Sequence, residues 1–222
     1  MAQYFVVHPA NPQARLMRQA AEVLRRGGVV AYPTDSSYAL GCHLGDLAAA
    51  ERIRAIRGLG DRHFMTLACA DLADAARFVR LANWQFRIVR QGTPGPFTFL
   101  LPASREVPRR LLTDKRDTVG MRVPDHPVVH ALLAELQEPL LSSTLILPDM
   151  AAPLHDPQEI RERLEHEVDL VIDAGPCVDV PTTVIDLTQE PAVLVRRGGG
   201  DPLRLGLDFD AEGRTGPSPE LR

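Results

Sequence analysis

Residues 29–41 read Val29-Val30-Ala31-Tyr32-Pro33-Thr34-Asp35-Ser36-Ser37-Tyr38-Ala39-Leu40-Gly41. The opening apolar triplet has the character of a buried strand. A proline, a hydroxyl, a carboxylate, two serines and a tyrosine come directly after it, and Gly41 closes the stretch. In an open α/β sheet, ligands bind in the crevice outside the carboxyl ends of strands. Short hydroxyl side chains leave room there and offer both donors and acceptors. The same residues have a plainer reading, a turn that caps the next helix, because Thr, Asp and Ser favour such positions. Position alone leaves both readings open.

Outward from this stretch, helical and strand signals alternate. Asn11-Pro12 reads as a cap with proline at the first helical position, Leu16, Ala20, Val23 and Leu24 repeat on one face, and Gly27-Gly28 ends that helix. Asp46 suits the cap of a second helix with Ala49, Ile53 and Ile56 inward. Strands are predicted over 64–69, 97–101, 118–123, 140–144, 170–172, 182–187 and 192–196. Helices are predicted over 71–79, 83–90 and 127–136, and from a capping box at Asp156-Pro157-Gln158-Glu159 to about His166. This alternation argues one α/β domain with helices packed on a sheet. The last strands come without an intervening helix, so the sheet is expected to be mixed. The domain is placed at 8–206. From 207 to 222 the composition, rich in Gly, Pro, Asp and Glu, predicts a disordered tail.

Composition narrows the class. Of 222 residues, 45% are hydrophobic and 24% charged, ordinary for a globular protein. There is no apolar run of membrane-spanning length and no basic stretch followed by an apolar block at the N-terminus, so the expectation is a cytoplasmic protein without a membrane partner. Cys42, Cys69 and Cys177 suggest neither a disulfide framework nor a zinc site, and the seven histidines show no ligand spacing. The net charge of −4 does not by itself point to nucleic acid. Its distribution is uneven, however. Arg105, Arg109, Arg110, Lys115, Arg116 and Arg122 fall close together against Glu106, Asp114 and Asp117. Such a segment suits a phosphate backbone, or simply a solvated loop of mixed charge.

Pro-Thr-Asp-x-x-Tyr-x-Leu-Gly resembles the opening motif of the YrdC/TsaC family, whose members make threonylcarbamoyl-adenylate. Other segments match in the same order. Thr93-Pro94-Gly95-Pro96-Phe97-Thr98 resembles the family's Pro-Gly-Pro-x-Thr element, and 119–127, Val-Gly-Met-Arg-Val-Pro-Asp-His-Pro, its Val-Gly-x-Arg-x-Pro-x-His-Pro element. Thr182-Thr183-Val184-Ile185-Asp186 and Val193-Leu194-Val195-Arg196 resemble its closing strands. The wording Pro-Thr-Asp-Ser-x-Tyr-Ala-Leu-Gly-Cys, with Val-Pro-Arg-Arg-Leu-Leu at 107–112, is most similar to the YciO branch.

The resemblance implies a twisted open sheet with a concave, positively charged surface. It implies chemistry that joins L-threonine, bicarbonate and ATP into threonylcarbamoyl-adenylate and pyrophosphate. It places Thr34, Arg57, Arg122, Thr144 and Arg196 at ligand-binding positions, with Ser36, Ser37 and His63 beside them, and keeps His126 as a capping or lining residue. Phosphate and carboxylate both suit guanidinium groups. ATP or AMP is the implied ligand, and Mg2+ would be brought with the nucleotide. Family members are also described as binding double-stranded RNA, which points Arg109, Arg110, Lys115 and Arg116 at structured RNA or tRNA. Little aromatic residue interleaves this segment, so shape and phosphate recognition fit better than base stacking. No general base stands out, and positioning with electrostatics suffices.

Two departures bear on activity. The family's Lys-x-Arg-Pro signature corresponds to Arg57-Gly58-Leu59-Gly60, which loses one cation at Leu59. Its Ser-x-Asn pair corresponds to Thr144-Leu145-Ile146, which loses an amide at Ile146. Each lost charge-assisted contact is worth about 1.5–3 kcal/mol, roughly tenfold to a hundredfold in binding. The expected function is therefore nucleotide and RNA binding with at best weak synthase activity. The alternatives are an enzyme acting on threonylcarbamoyl-adenosine in tRNA and a non-enzymatic RNA-binding module.

Overall fold

The computed structural model describes residues 1–60, 65–109, 112, 117–210 and 212–214. In chain order its elements are β1 (Gln3–Val6), α1 (Ala14–Arg25), β2 (Val30–Tyr32), β3 (Ala39–His43), α2 (Leu47–Arg57), β4 (Thr66–Ala68), α3 (Leu72–Phe78), α4 (Asn83–Gly92), β5 (Phe97–Pro102), β6 (Thr118–Arg122), α5 (Pro127–Leu136), β7 (Leu140–Thr144), α6 (Pro157–Leu164), β8 (Leu170–Asp173), β9 (Thr183–Asp186) and β10 (Val193–Arg196), followed by a 3-10 turn at Pro202–Leu205. The strands form one open sheet in the order β1-β8-β2-β3-β7-β4-β6-β5-β9-β10. β8 runs parallel to β1 and β2, β4 to β6, and β5 to β9. The other neighbours are antiparallel. The sheet is mixed, as the helix-free final strands imply.

Cross-strand partners and i, i+2 neighbours lie on one side of a sheet. Ser142 opposes Thr66, Thr66 opposes Gly120, and Gly120 opposes Leu100. Thr98 opposes Val184, which opposes Arg196. Thr144, two residues from Ser142, belongs to the same face. The apolar cluster on this face joins α1 and α5, through Met17, Leu24, Val129 and Leu133, to β2, β3, β7, β8 and Ala68 of β4. None of its buried members comes from β5, β9 or β10. The helices thus cover half of the face and leave a polar half. The opposite face carries α2, α3, α4 and α6 through Ile53, Phe78, Val89 and Leu164.

Several helix ends are set by side chains the sequence singles out. Asp46 Oδ1 accepts from the Ala49 N–H at 2.9 Å and caps α2. Asp71 Oδ1 accepts from the Asp74 N–H at 2.7 Å and caps α3. Pro127 opens α5, with His126 Nδ1 accepting from the Val128 N–H at 3.2 Å.

Other expectations are corrected. After Ser37 the chain enters a strand, not a helix: β3 returns antiparallel to β2, with Ala39 opposite Tyr32. A Cβ on Gly41 would fall 2.8 Å from Tyr32 Cε1, so the motif's last glycine makes room for its first aromatic ring. Helix α1 starts at Ala14 with Gln13 as its N-cap, while the Ala10 and Asn11 N–H groups are taken up by His8 Nδ1. Asp156 caps α6 by accepting from the Gln158 N–H, but Glu159 bonds Arg163 at 3.0 Å and no reciprocal box forms. Gln3–Val6 adds a strand ahead of residue 8, paired with β8. Of the expected tail 207–222, residues 211 and 215–222 lie outside the described residues, and the remainder meets the sheet at Phe209, Gly213 and Arg214. Phe209 is buried, Leu194 N–H donates to Gly213 O at 2.8 Å, and Arg214 bridges Val193. This arm lies along β10 and covers an otherwise open sheet edge.

Candidate functional site

The helix-free half of the first face forms the floor of a cavity of about 420 Å3. Thr66, Thr98, Leu100, Thr144, Val184 and Arg196 come from that face. Arg57, Ser143, Thr182 and Val195 complete the lining. A space of this size, lined by hydroxyls and two guanidiniums with Leu100, Val184 and Val195 between them, suits a small ligand. None of the lining residues is acidic.

Two guanidiniums enter the cavity. Arg57, the last residue of α2, donates from Nε to Ile146 O at 3.2 Å and from Nη1 to Ser143 Oγ at 2.5 Å. Arg196, at the end of β10, donates to Thr182 O and to Thr182 Oγ1. All these acceptors are neutral, and among the described residues neither arginine has a carboxylate partner. Burial first, then repulsion from Arg196, pulls the Arg57 guanidinium down to about 10. Partial burial, then repulsion from Arg122, lowers Arg196. An arginine keeps its proton near neutral pH. The downward pressure comes first from burial and then from a neighbouring cation, and an anionic ligand would relieve the second.

The stretch between β2 and β3 sits beside this cavity and is largely buried. Thr34 Oγ1 accepts from the Ser36 and Ser37 N–H groups, each at 3.2 Å, and donates to Ser37 O at 2.6 Å. The turn reading of this stretch is thus right about the local bonding and wrong about the next element, which is β3 rather than a helix. Asp35 Oδ1 accepts from Arg122 Nη2 at 2.5 Å, and Ser36 Oγ lies 3.3 Å from Arg122 Nη1. Both side chains of this pair are at most 10% exposed. Among the described residues, Asp35 Oδ2 and Arg122 Nε are buried without hydrogen-bond partners.

The structure brings Arg57, Thr144 and Arg196 together around one cavity. Thr34, Ser36, Ser37 and Arg122 form an adjoining buried cluster. The hydroxyl of Thr34 and the backbone of Ser37 are used by the turn itself. Arg109 is exposed in the connection between β5 and β6. His63, Arg110, Lys115 and Arg116 lie outside the described residues. Ser143, Thr66, Thr98 and Thr182 are cavity residues that sequence reasoning missed. Thr98 carried a signal: it is the lone hydroxyl in Phe97-Thr98-Phe99-Leu100-Leu101, and a buried hydroxyl needs a partner. That partner is Thr182, at 2.8 Å between oxygens. Among the described residues no group of three His, Cys, Asp or Glu is placed to hold a metal. No helix among them is long and apolar enough to cross a membrane.

An open mixed sheet of this kind is shared by known proteins. The family model Sua5/YciO/YrdC, described as telomere recombination, matches residues 22–198. The chain belongs to this family. It is 52% identical over 201 residues to YciO of Escherichia coli K12, covering 90% of this chain and 98% of YciO. The crystal structure of E. coli YciO superposes with a TM-score of 0.90 at 51% identity, over 92% of this chain and all of that one. A threonylcarbamoyl-AMP synthase of Halorhodospira halophila is 35% identical over 166 residues, 74% of this chain and 85% of its own. Sua5 of Pyrococcus abyssi, in a crystal structure complexed with L-threonine, superposes with a TM-score of 0.82 at 27% identity, over 88% of this chain and 57% of that one. The chain is thus related to threonylcarbamoyl-AMP synthases and most similar, among these, to YciO.

Proposed function

We propose that this chain is a YciO-type protein that binds an adenylate, AMP or threonylcarbamoyl-adenylate, at least as well as ATP, together with structured RNA, and has at best weak threonylcarbamoyl-AMP synthase activity. The observation that carries the reading is the pair Arg57 and Arg196, facing one hydroxyl-lined cavity with no carboxylate partner among the described residues. Arg122 adds a third positive charge within electrostatic reach and Asp35 the opposing one. The surplus matches a phosphate monoester dianion better than the denser charge of a triphosphate. Leu59 and Ile146 supply only backbone groups: Leu59 N–H closes the end of α2 on Arg54 O, and Ile146 O accepts from Arg57. Neither contributes a side-chain grip on a β- or γ-phosphate.

L-Threonine, which the P. abyssi relative binds, fits the same reading, with a guanidinium for its carboxylate. Mg2+ would arrive on the nucleotide, because the nearby Asp35 is engaged by Arg122. RNA would be held through phosphates by Arg109 and the basic segment after it, which springs from the strand that contributes Leu100 to the cavity. Three free cysteines, two of them buried, suit a reducing cytoplasm.

A second reading, hydrolysis or remodelling of threonylcarbamoyl-adenosine in tRNA, is favoured by the retained arginines beside the altered triphosphate grip. Pyrophosphate release from ATP, L-threonine and bicarbonate tests the main reading, with the H. halophila synthase run in parallel. We expect turnover at least a hundredfold below that enzyme, as two lost charged contacts imply. Equal turnover would overturn the reading. Mass spectrometry of modified tRNA incubated with the chain tests the second, and loss of the threonylcarbamoyl group would favour it.

A further inference from the structure

Asp35 presents a contradiction in charge. It is a carboxylate paired with Arg122, a guanidinium that otherwise adds to the positive charge felt by Arg196, and its negative charge opposes an anion there. A group with only an electrostatic effect on the site would therefore weaken ligand binding. Its geometry indicates another role. Arg122 leaves the end of β6 with both terminal nitrogens engaged, Nη2 by Asp35 Oδ1 at 2.5 Å and Nη1 near Ser36 Oγ at 3.3 Å. Two anchors on a planar, rigid fork fix its plane as well as its position. Both anchors come from the turn that Thr34 Oγ1 ties to the Ser36 and Ser37 N–H groups. The turn is itself held between β2 and β3, whose register is set by Tyr32 against Ala39.

The pair is also incomplete. A side-on carboxylate–guanidinium pair uses two parallel bonds, yet here Asp35 Oδ2 and Arg122 Nε are both buried without partners among the described residues. A buried ion pair that existed for stability alone would be expected to satisfy these atoms. What the pair does achieve is to fix one guanidinium on the face that floors the cavity, since Arg122 lies two residues from Gly120 on β6, within electrostatic reach of Arg196.

We propose that Asp35 is a positioning residue: it acts on ligand binding through Arg122, fixing that guanidinium toward the anion site. The proposal rests on the adenylate-binding reading above and deepens it. The two effects of Asp35 have opposite signs, which makes them separable. Removing its charge without positioning would tighten an anion. Removing its hold on Arg122 loosens one.

The experiment is a double-mutant cycle read by calorimetry with AMP as the probe, using wild type, Asp35→Asn, Arg122→Gln and the double variant, with thermal unfolding recorded for each. Wild type should bind AMP. Asp35→Asn should weaken it about tenfold or more, in spite of the lost negative charge. In the Arg122→Gln background the same substitution should cause no further loss, because only the removal of an opposing negative charge remains, which tightens an anion. The double variant leaves no unpaired buried charge and should fold. If Asp35→Asn alone fails to fold, Arg122→Gln against the double variant still decides: equal or tighter binding by the double variant supports the proposal, and a further loss overturns it. Tighter or unchanged binding by Asp35→Asn overturns it, as does an equal loss in both backgrounds. Failure of the wild type to bind AMP overturns the adenylate reading and this proposal with it, whereas additive losses on a binding wild type overturn this proposal alone.

Discussion

At the scale of single residues, burial decides how Arg122 and His126 respond to change. The family resemblance places Arg122 at a ligand-binding position, where its loss would be expected to affect binding alone. The structure buries its side chain against Asp35. Arg122→Ala should therefore leave a buried carboxylate unpaired and cost about 3–5 kcal/mol of stability. Denaturant unfolding checks this, and a variant as stable as wild type would contradict it. His126 is lowered, first by burial, with His130 lowering it further against the charges of Asp35 and Asp125. Its Nδ1 accepts from the Val128 N–H, so the neutral form caps α5. The folded value lies below the ordinary 6.5, so the unfolded chain takes up the proton first. The stability it contributes is full above that pH and is lost as pH falls through the lowered folded value. His126→Asn keeps a cap acceptor that does not titrate. It should flatten the decline of unfolding temperature between pH 6.5 and 5, and an unchanged decline would assign it to other groups.

At the scale of elements, the ones read correctly carry their own boundary signals. Pro127 at the first helical position and the run Leu140-Leu141-Ser142-Ser143-Thr144 fix α5 and β7 at the residues expected. β1 escaped because it is an edge strand of four residues with both ends exposed, which gives no apolar run. β3 escaped because its residues were read for their ligand chemistry, and because both sides of it are buried, which removes the alternation that marks a half-exposed strand. The start of the C-terminal arm looked too polar and glycine-rich to order. Phe209 anchors it, and β10 supplies backbone partners. The connection between β5 and β6 holds the basic segment and makes the RNA prediction. Replacing Arg109, Arg110 and Arg116 with Ser should weaken tRNA binding far more than AMP binding. It should also flatten the salt dependence by about two to three units, near one per lost phosphate contact. Filter binding at several salt concentrations measures both. Equal slopes for the variant and wild type would reduce the segment to a solvated loop.

At the scale of the whole molecule, the site exists because helices cover the sheet unevenly. α1 and α5 close half of one face, and the strands left bare point their hydroxyls into the cavity. This is why the arginines were legible in the sequence and the hydroxyls were not. Arg57 and Arg196 stand out by charge within recognisable motifs. Ser143, Thr66 and Thr182 look like ordinary strand residues until it is known which part of the face lacks a helix. The same architecture sets the charge of the site: Arg57, Arg196 and Arg122 against Asp35. Titration calorimetry with AMP and with ATP, each with and without Mg2+, is the sharpest probe of that balance. AMP should bind at least as tightly as ATP, Mg2+ should add little, and Arg57→Gln or Arg196→Gln should weaken AMP about tenfold or more. A strong, Mg2+-dependent preference for ATP would show instead that the cavity is built for a triphosphate.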